Sequence, residues 1–291
     1  MKNTLLGSLF LILASSIWGG MYVVVKVTVS VIHPLELVWL RYLIAFTALL
    51  IIGFIQREKW RLEKRYYPLV IAIGIIGNAI SIVAQETGTM LSTAQMGAII
   101  TSSTPAFMAI FARLILKEHL TLNKGISVCL ATIGVLIIAG IDHVNMSGSL
   151  GGAALIIAAL TWALMSVLVK LLPTNHSQIV LTAYSILAAL IVLTPFVLPR
   201  LQEISLTQLA HPSIWGGLLY LGIISTACGF LLWNRGLQML NASSGGIFFF
   251  FQPVVGTLLG WLILGETIGA TFWIGSILII AGVLLVINEK K

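Results

Sequence analysis

Apolar residues run along this chain in long stretches that charged residues separate. Eight stretches without a charge each reach the roughly 20 residues that cross the core of a bilayer. They cover residues 3–25, 66–85, 87–112, 143–169, 171–199, 204–234, 236–265 and 267–288. A shorter stretch covers 125–141, and residues 34–55 are apolar except for Glu36 and Arg41. The pattern therefore predicts ten membrane-crossing segments.

Backbone amides inside hydrocarbon must be hydrogen-bonded within their own segment or in a closed barrel. Runs of this length and continuity are typical of helices and not of the ten-residue alternating strands of barrels. The predicted fold class is therefore an all-α integral membrane protein with ten transmembrane helices. Composition agrees, because 59% of the residues are hydrophobic and 9% are charged, more apolar surface than one water-soluble core can hide.

The sequence also repeats itself. The phrase IWGGMYVVVK at 17–26 returns as TWALMSVLVK at 161–170, an offset of 144 residues. Five further identities recur at an offset of 148: Gly88 with Gly236, Ala94 with Ala242, Pro105 with Pro253, Glu118 with Glu266, and Gly134 with Gly282. We expect two five-helix units, residues 1–141 and 142–291. Because five is odd, the second unit is inverted, an architecture of secondary transporters, although duplication can also enlarge a scaffold.

Basic residues indicate the orientation, since Lys and Arg near helix ends stay on the cytoplasmic side. With the N-terminus inside, most of them lie inside, including the cluster at 57–65, whereas Lys26 and Arg200 lie outside. Both termini of a plasma-membrane protein are then expected in the cytoplasm. The net charge of +7 reflects this topology and not nucleic-acid binding. The two cysteines indicate neither a disulfide framework nor a metal site.

Four stretches resemble a known family: SSIWGGMYVVVK, PLELVWLRYLIA, TPAFMAIFARLILKEHLT and QPVVGTLLGWLILGETIG. They resemble the EamA group of the drug/metabolite transporter superfamily, over essentially the whole chain. The spacing of 13 residues from Pro to Glu in both repeats is the most specific part. The resemblance implies a ten-helix carrier of small metabolites, often amino acids or related compounds and often moved outward. The second repeat departs from the first, because nothing like Arg41 recurs in it.

Two trios share a spacing of four residues: Trp18, Tyr22 and Lys26, and Trp162, Ser166 and Lys170. Each trio lies on one helical face, and we expect these faces to flank a central cavity. Aromatic rings there suit zwitterionic or amphipathic solutes. The alternative is helix packing for the aromatic residues and interfacial anchoring for the lysines.

Pro105 and Pro253 each lie inside a predicted segment, where proline removes a backbone hydrogen bond. Ser102, Ser103 and Gln252 precede them and can satisfy the freed groups or face a substrate. Interrupted helices at matching positions of two repeats point to a transporter's substrate site. A purely structural kink is the alternative.

Arg41 and Glu86 are the charges most expected within the membrane. Either one alone in lipid costs about 2.5–3.5 kcal/mol, so each should face protein, water or a partner. We expect them to pair or to bind opposite ends of an amino-acid-like solute, with Glu86 a candidate proton site. The alternative is that both side chains extend to the outer interface.

Gln85, Trp233 and Asn234 complete the candidate cavity residues. Glu118 and Glu266 end the proline-containing segments. We expect each carboxylate to cap the N-terminus of the next helix, with gating as the alternative role.

The sequence contains no GxxxxGK[ST] loop and neither HExxH nor GxSxG, so it predicts no ATP-driven pump, no enzyme, no cofactor and no metal. The expected partners are a small-molecule substrate, the lipid bilayer and a coupling proton or other ion. The preferred function is export of small metabolites by alternating access. A passive channel and a noncatalytic scaffold are the alternatives.

Overall fold

The computed structural model of the protein describes residues 2–92, 94–139, 150–174, 176–203, 211–264 and 269–287. These residues form ten apolar helices and no strand, which confirms the predicted all-α class. The first repeat contains α1 (Lys2–Thr28), α2 (Pro34–Ile55), α3 (67–91), α4 (94–115) and α5 (Leu122–Ala139). The second contains α6 (Leu150–Val169), α7 (Gln178–Val197), α8 (212–239), α9 (242–264) and α10 (Ala270–Ile287).

Eight of the ten helices are long and apolar enough to cross a bilayer, and α5 and α10 are shorter apolar helices. Large apolar side chains such as Leu5, Phe54 and Leu122 are exposed on the outside of the bundle. Hydrocarbon stabilises such a surface, whereas water does not. The chain is a multi-pass membrane protein.

Glu86, which separates two charge-free stretches of the sequence, lies within a helix near its end. The third helix continues through this residue to Leu91, and α4 begins at Ala94 instead of residue 87. A charged residue marks the end of a membrane helix only if its side chain must reach water. Glu86 is completely buried in protein, so the helix can continue past it.

The contacts between helices are largely symmetric: most contacts that one repeat makes with the other have an equivalent in which the two repeats change places. The first helix of each repeat packs along the third and fourth helices of the other, so α1 contacts α8 and α9 while α6 contacts α3 and α4. The α2–α7 and α5–α10 interfaces join equivalent helices. The same exchange relates the halves of inverted-repeat carriers, whose pseudo-two-fold axis lies in the membrane plane.

Repeat-related glycines allow two of these helix pairs to approach closely. A Cβ on Gly236 would lie 3.0 Å from the carbonyl oxygen of Gly7, and one on Gly88 would lie 2.9 Å from that of Gly151. Small residues permit such contacts between membrane helices. The recurrence of Gly88 as Gly236 therefore has a packing reason in both α3 and α8.

Two of the helices contain π-helical segments at overlapping positions of the repeats. In α3 the segment is Gly74–Ser81, and in α8 it is Tyr220–Cys228. Such segments are rare and often mark functional sites, because the wider turn leaves backbone and side-chain groups in unusual positions.

The helices that contain the repeat-related Pro105 and Pro253 are interrupted. A turn at residues 102–103 separates Ala94–Thr101 from Thr104–Ile115, whose second residue is Pro105. In α9 a 3₁₀ segment, Ile247–Phe250, precedes Phe251–Leu264, whose third residue is Pro253. Each interruption therefore comes directly before the proline, as expected from its missing N–H group.

Candidate functional site

A fully buried ion pair joins α2 to α3. Arg41 donates from Nη1 to Oε1 of Glu86 at 2.5 Å, and neither side chain is exposed. The alternative in which both side chains reach the outer interface is therefore wrong. The same guanidinium donates to Thr226 Oγ1 at 2.9 Å and to Ser225 Oγ at 3.2 Å.

The two hydroxyl partners come from the π-helical segment of α8. Thr226 donates its own proton to the carbonyl of Leu221, five residues earlier, which leaves lone pairs for Arg41. Removing two charges from water costs several kcal/mol per ion, so a buried pair needs such additional hydrogen bonds. Neither Ser225 nor Thr226 was among the predicted site residues, although two adjacent polar residues in the middle of an apolar run were a signal for them.

Glu86 uses only part of its carboxylate in this arrangement. Its second oxygen, Oε2, is buried and has no hydrogen-bond partner among the described residues. An ionised carboxylate accepts through both oxygens. The free oxygen can therefore accept a proton or a donor group of a ligand.

Five aromatic side chains from α1, α6, α8 and α9 form an aromatic cluster next to the ion pair: Trp18, Trp162, Phe230, Trp233 and Phe249. Neighbouring ring centroids lie between 4.9 Å and 6.4 Å apart, the range of favourable aromatic contacts. The indole N–H of Trp18 donates to the carbonyl of Ser225, and that of Trp233 donates to Ser166 Oγ. The cluster therefore joins both repeats at the centre of the bundle.

A small cavity of about 20 Å³ lies between the aromatic cluster and the ion pair, enough for about one water molecule. Its lining includes five of the predicted substrate-binding residues: Trp18, Arg41, Gln85, Trp162 and Gln252. Eight other residues complete the lining: Met21, Ile82, Thr101, Thr104, Ala158, Ala159, Phe230 and Phe249. Thr104 directly precedes Pro105. This position next to the proline was the signal in the sequence for a role of Thr104 at the site.

The other predicted substrate-binding residues lie outside this lining and are bonded elsewhere. The Tyr22 hydroxyl is 2.6 Å from Thr101 Oγ1, and the Asn234 amide donates to Thr182. Ser102 and Ser103 donate to carbonyls of the preceding helical turn, while Ser166 and Trp233 bind each other. In this conformation these residues support the cavity walls.

The repeated lysines bind the ends of the third helix in each repeat. Lys26 donates to the carbonyls of Thr89, Met90 and Ser92 at 2.6–3.1 Å. These three residues form what is called here the α3–α4 corner. Cations stabilise helix C-termini, whose last carbonyls lack helical partners.

Lys170 makes the equivalent contact in the second repeat. It donates to the carbonyls of Leu237 and Leu240 at 2.8 Å and 2.7 Å, at the α8–α9 corner, residues 237–243. Neither lysine is therefore only an interfacial anchor.

Glu118 also binds the α8–α9 corner. Its carboxylate accepts from the backbone N–H groups of Ala242 and Ser243 and from the Ser243 hydroxyl, and Lys124 donates to the same hydroxyl. The prediction that Glu118 caps the next helix, α5, is wrong, because it caps α9 of the other repeat. Its counterpart Glu266 lies outside the described residues.

A model of the EamA-like transporter family matches residues 5–140 and, a second time, residues 149–288. The chain belongs to the EamA-like transporter family. Each of the two matches coincides with a different five-helix repeat. The matches confirm the family indicated by the sequence motifs. The protein is thus a membrane transporter.

Relatives of this EamA-like transporter extend the comparison. The putative permease-like protein YdzE of Bacillus subtilis is 78% identical over 73 residues, which is 25% of this chain and 94% of that protein. An uncharacterized transporter of Archaeoglobus fulgidus is 26% identical over 96% of this chain and 98% of its own length. A crystal structure with 17% identity superposes with a TM-score of 0.77, covering 96% of this chain and 95% of the other. This last likeness shows the fold.

The centre of this EamA-like transporter offers groups that can bind a solute. It combines a neutral ion pair, polar groups and aromatic faces around one small cavity. Within the described residues, no group of three or more His, Cys, Asp or Glu side chains is placed to hold a metal ion.

Proposed function

We propose that this protein is a secondary transporter that exports small metabolites, such as amino acids or related amphipathic compounds, by alternating access through the central cavity. The observation that carries the proposal is the buried Arg41–Glu86 pair beside an aromatic cavity at the contact between the two repeats. Ionisable residues inside a membrane bundle mark substrate or ion pathways. A scaffold requires no such pair.

The position of the cavity supports alternating access. Its walls come from α1 to α4 of the first repeat and from α6, α8 and α9 of the second. A rocking motion of one repeat against the other therefore changes the cavity from both sides of the membrane, as in other inverted-repeat carriers.

The small volume of the cavity supports the proposal that this conformation is a closed one. Pockets for metabolite-sized ligands have about 300–1,000 Å³, far more than the present 20 Å³. In the same conformation Lys26 holds the α3–α4 corner and Lys170 and Glu118 hold the α8–α9 corner. Opening one corner at a time would expose the site to one side at a time.

The chemistry of the cavity supports the substrate class. Aromatic faces bind apolar or cationic parts of a solute, and the free oxygen of Glu86 accepts an ammonium group or a coupling proton. We propose a plasma-membrane location with both termini in the cytoplasm. Export is the direction that the family resemblance favours.

Counterflow in proteoliposomes tests the proposal. Vesicles with the purified full-length chain are screened with labelled amino acids, nucleosides and amphipathic cations, and unlabelled solute is then trapped inside. A carrier gives saturable uptake that trapped solute accelerates. Uptake without acceleration would indicate a channel, and the absence of saturable flux for every solute would indicate a scaffold.

Glu86→Gln tests the proton role, with Arg61→Gln in the exposed α2–α3 loop as the matched control. We expect the first variant to change the pH dependence of flux, because the amide cannot exchange a proton, and the control to keep it. An unchanged profile in Glu86→Gln would remove the proton role without affecting the transport proposal.

Single cysteines at Ser30 and Thr174 test the orientation in a background without Cys129 and Cys228. Both positions are exposed and correspond at the offset of 144 residues. A membrane-impermeant thiol reagent should label the first from outside and the second from the cytoplasm. Labelling of both from one side would exclude the inverted arrangement.

A further inference from the structure

Three buried tryptophans of the aromatic cluster differ in the partners of their indole N–H groups. Trp18 donates to the Ser225 carbonyl at 2.9 Å, and Trp233 donates to Ser166 Oγ at 3.1 Å. The indole N–H of Trp162 is buried and has no partner in the part of the chain that the structure describes. An unpaired buried donor of this kind is uncommon and costly, so it needs an explanation.

Two further polar groups without partners line the same cavity. They are the side-chain amide nitrogen of Gln85, from α3, and the hydroxyl of Thr104, from α4. Trp162 reaches the cavity from α6. The remaining unpaired buried groups among the described residues belong to Glu86 and to side chains outside this lining. Three residues with an unused polar group, on three helices from both repeats, therefore line one space.

The three groups fit an acceptor. An indole N–H can only donate, a primary amide offers two N–H donors, and a hydroxyl can also donate. Carboxylate oxygens accept several such hydrogen bonds, which are stronger than those between neutral groups. The cavity therefore matches a carboxylate better than an ammonium group on this side.

The charge of Arg41 limits which carboxylates fit. Arg41 lines the cavity, but its charge is already balanced by Glu86, and its Nε, Nη1 and Nη2 atoms donate to Thr226, to Glu86, and to Ser225 and the Met21 sulfur. A solute with a net negative charge would bring an unbalanced charge into the membrane interior, which is costly. A zwitterion carries its own compensating ammonium group.

Building on the transport function proposed above, we propose that Trp162, Gln85 and Thr104 bind the carboxylate of a zwitterionic, amino-acid-like solute. The cavity widens to admit the solute, and the side chain of the solute contacts the aromatic cluster. Arg41 holds α2, α3 and α8 together around the site through its hydrogen bonds, and it does not itself bind the carboxylate of the solute.

Ligand-induced thermal stabilisation of the purified full-length chain in detergent tests this assignment. The probes are the twenty common amino acids, each paired with its methyl ester, which keeps the ammonium group and removes the carboxylate charge. Binding to the folded state raises the unfolding temperature by an amount that grows with the ratio of ligand concentration to Kd. We expect stabilisation by at least one free amino acid and affinity for its ester that is at least tenfold weaker.

Trp162→Phe and Gln85→Met remove the donors while keeping most of the side-chain volume. Each should lower the affinity for the free amino acid about tenfold to a hundredfold, the range for one hydrogen bond to a charged group. Neither should lower the affinity for the ester to the same extent. Trp39→Phe is the matched control, because Trp39 donates to Thr194 between α2 and α7, away from the cavity.

Three results would overturn the assignment: equal affinity for acid and ester, equal losses for both probes in Trp162→Phe, or no stabilisation by any amino acid. Flux assays separate this failure from failure of the transport proposal. Saturable flux of a nucleoside or amphipathic cation without amino-acid binding would leave the transporter and remove the carboxylate site. Absence of flux for every solute would remove both.

Discussion

Equivalent positions of the two repeats carry different chemistry at the centre of the bundle. Arg41 corresponds to Ser185 at the offset of 144 residues, and Glu86 corresponds to Asn234 at the offset of 148. The first two form a fully buried ion pair. Ser185 and Asn234 are neutral and form hydrogen bonds with other partners.

The helix scaffold, in contrast, is the same in both repeats. The glycine contacts, the π-helical segments, the interruptions before proline and the lysine-bound corners all occur twice. A transporter with one central site needs two openings but only one set of recognition groups. The difference agrees with the proposed mechanism, in which the symmetric scaffold would serve the movement and the asymmetric centre the binding.

The largest predicted effect comes from breaking the ion pair. Arg41→Met leaves Glu86 buried without a counter-charge and should lower the free energy of unfolding by about 3–5 kcal/mol. The matched change in the second repeat, Asn234→Leu, removes a neutral hydrogen bond and should cost only about 1–3 kcal/mol. Unfolding of the detergent-solubilised protein measures both.

The double variant Arg41→Met with Glu86→Leu checks the cause. It should regain most of the stability that Arg41→Met loses, because no unpaired charge remains. If the double variant is as unstable as the single one, packing around Arg41 and not charge explains the loss.

Equal effects are expected where the repeats are alike. Gly88→Ala and Gly236→Ala each place a Cβ 2.6 Å from a leucine side chain of the neighbouring helix. Overpacking of this kind costs about 1–3 kcal/mol. Unfolding measurements should give similar losses for both, with Gly125→Ala, which has open space around it, as the control. A large difference between the two losses would contradict the structural equivalence of the α1–α8 and α3–α6 contacts.

The sequence predicted the ten helices and the two interruptions, because apolar length and proline act locally. It predicted pairing of Arg41 with Glu86 as one of two possibilities, but not the hydroxyl partners of Arg41, since Ser225 and Thr226 lie in the π-helical segment of α8. A π-helical turn has no simple residue signature. Glu86 separates two apolar stretches of the sequence and yet lies inside α3, because a charge signals water only when no buried partner exists, and Glu86 has one.

Loss of the two corner lysines should make the cavity more accessible from opposite sides of the membrane. Lys26→Met loosens the α3–α4 corner and Lys170→Met the α8–α9 corner, each by about 1–2 kcal/mol for a partly buried charge at a helix C-terminus. With a reporter cysteine at Ala159, which lines the cavity, labelling should rise roughly five- to thirtyfold. The increase should come from outside in the first variant and from the cytoplasm in the second.

Lys59→Met in the exposed α2–α3 loop is the control for this experiment and should leave labelling unchanged. If both corner variants raise labelling from the same side, the lysines do not control separate openings. The two corners would then not be functionally equivalent, although both are bound by a lysine.

The smallest predicted effect separates the two repeat-related tryptophans, without any ligand. Trp18→Phe and Trp162→Phe remove similar apolar area, but only the first breaks a hydrogen bond, that to the Ser225 carbonyl. Trp18→Phe should therefore lose about 1 kcal/mol more than Trp162→Phe, measured by unfolding under identical conditions. Equal losses would mean that the Trp162 N–H is already bonded within the resting protein, which would leave it unable to gain a hydrogen bond from a solute.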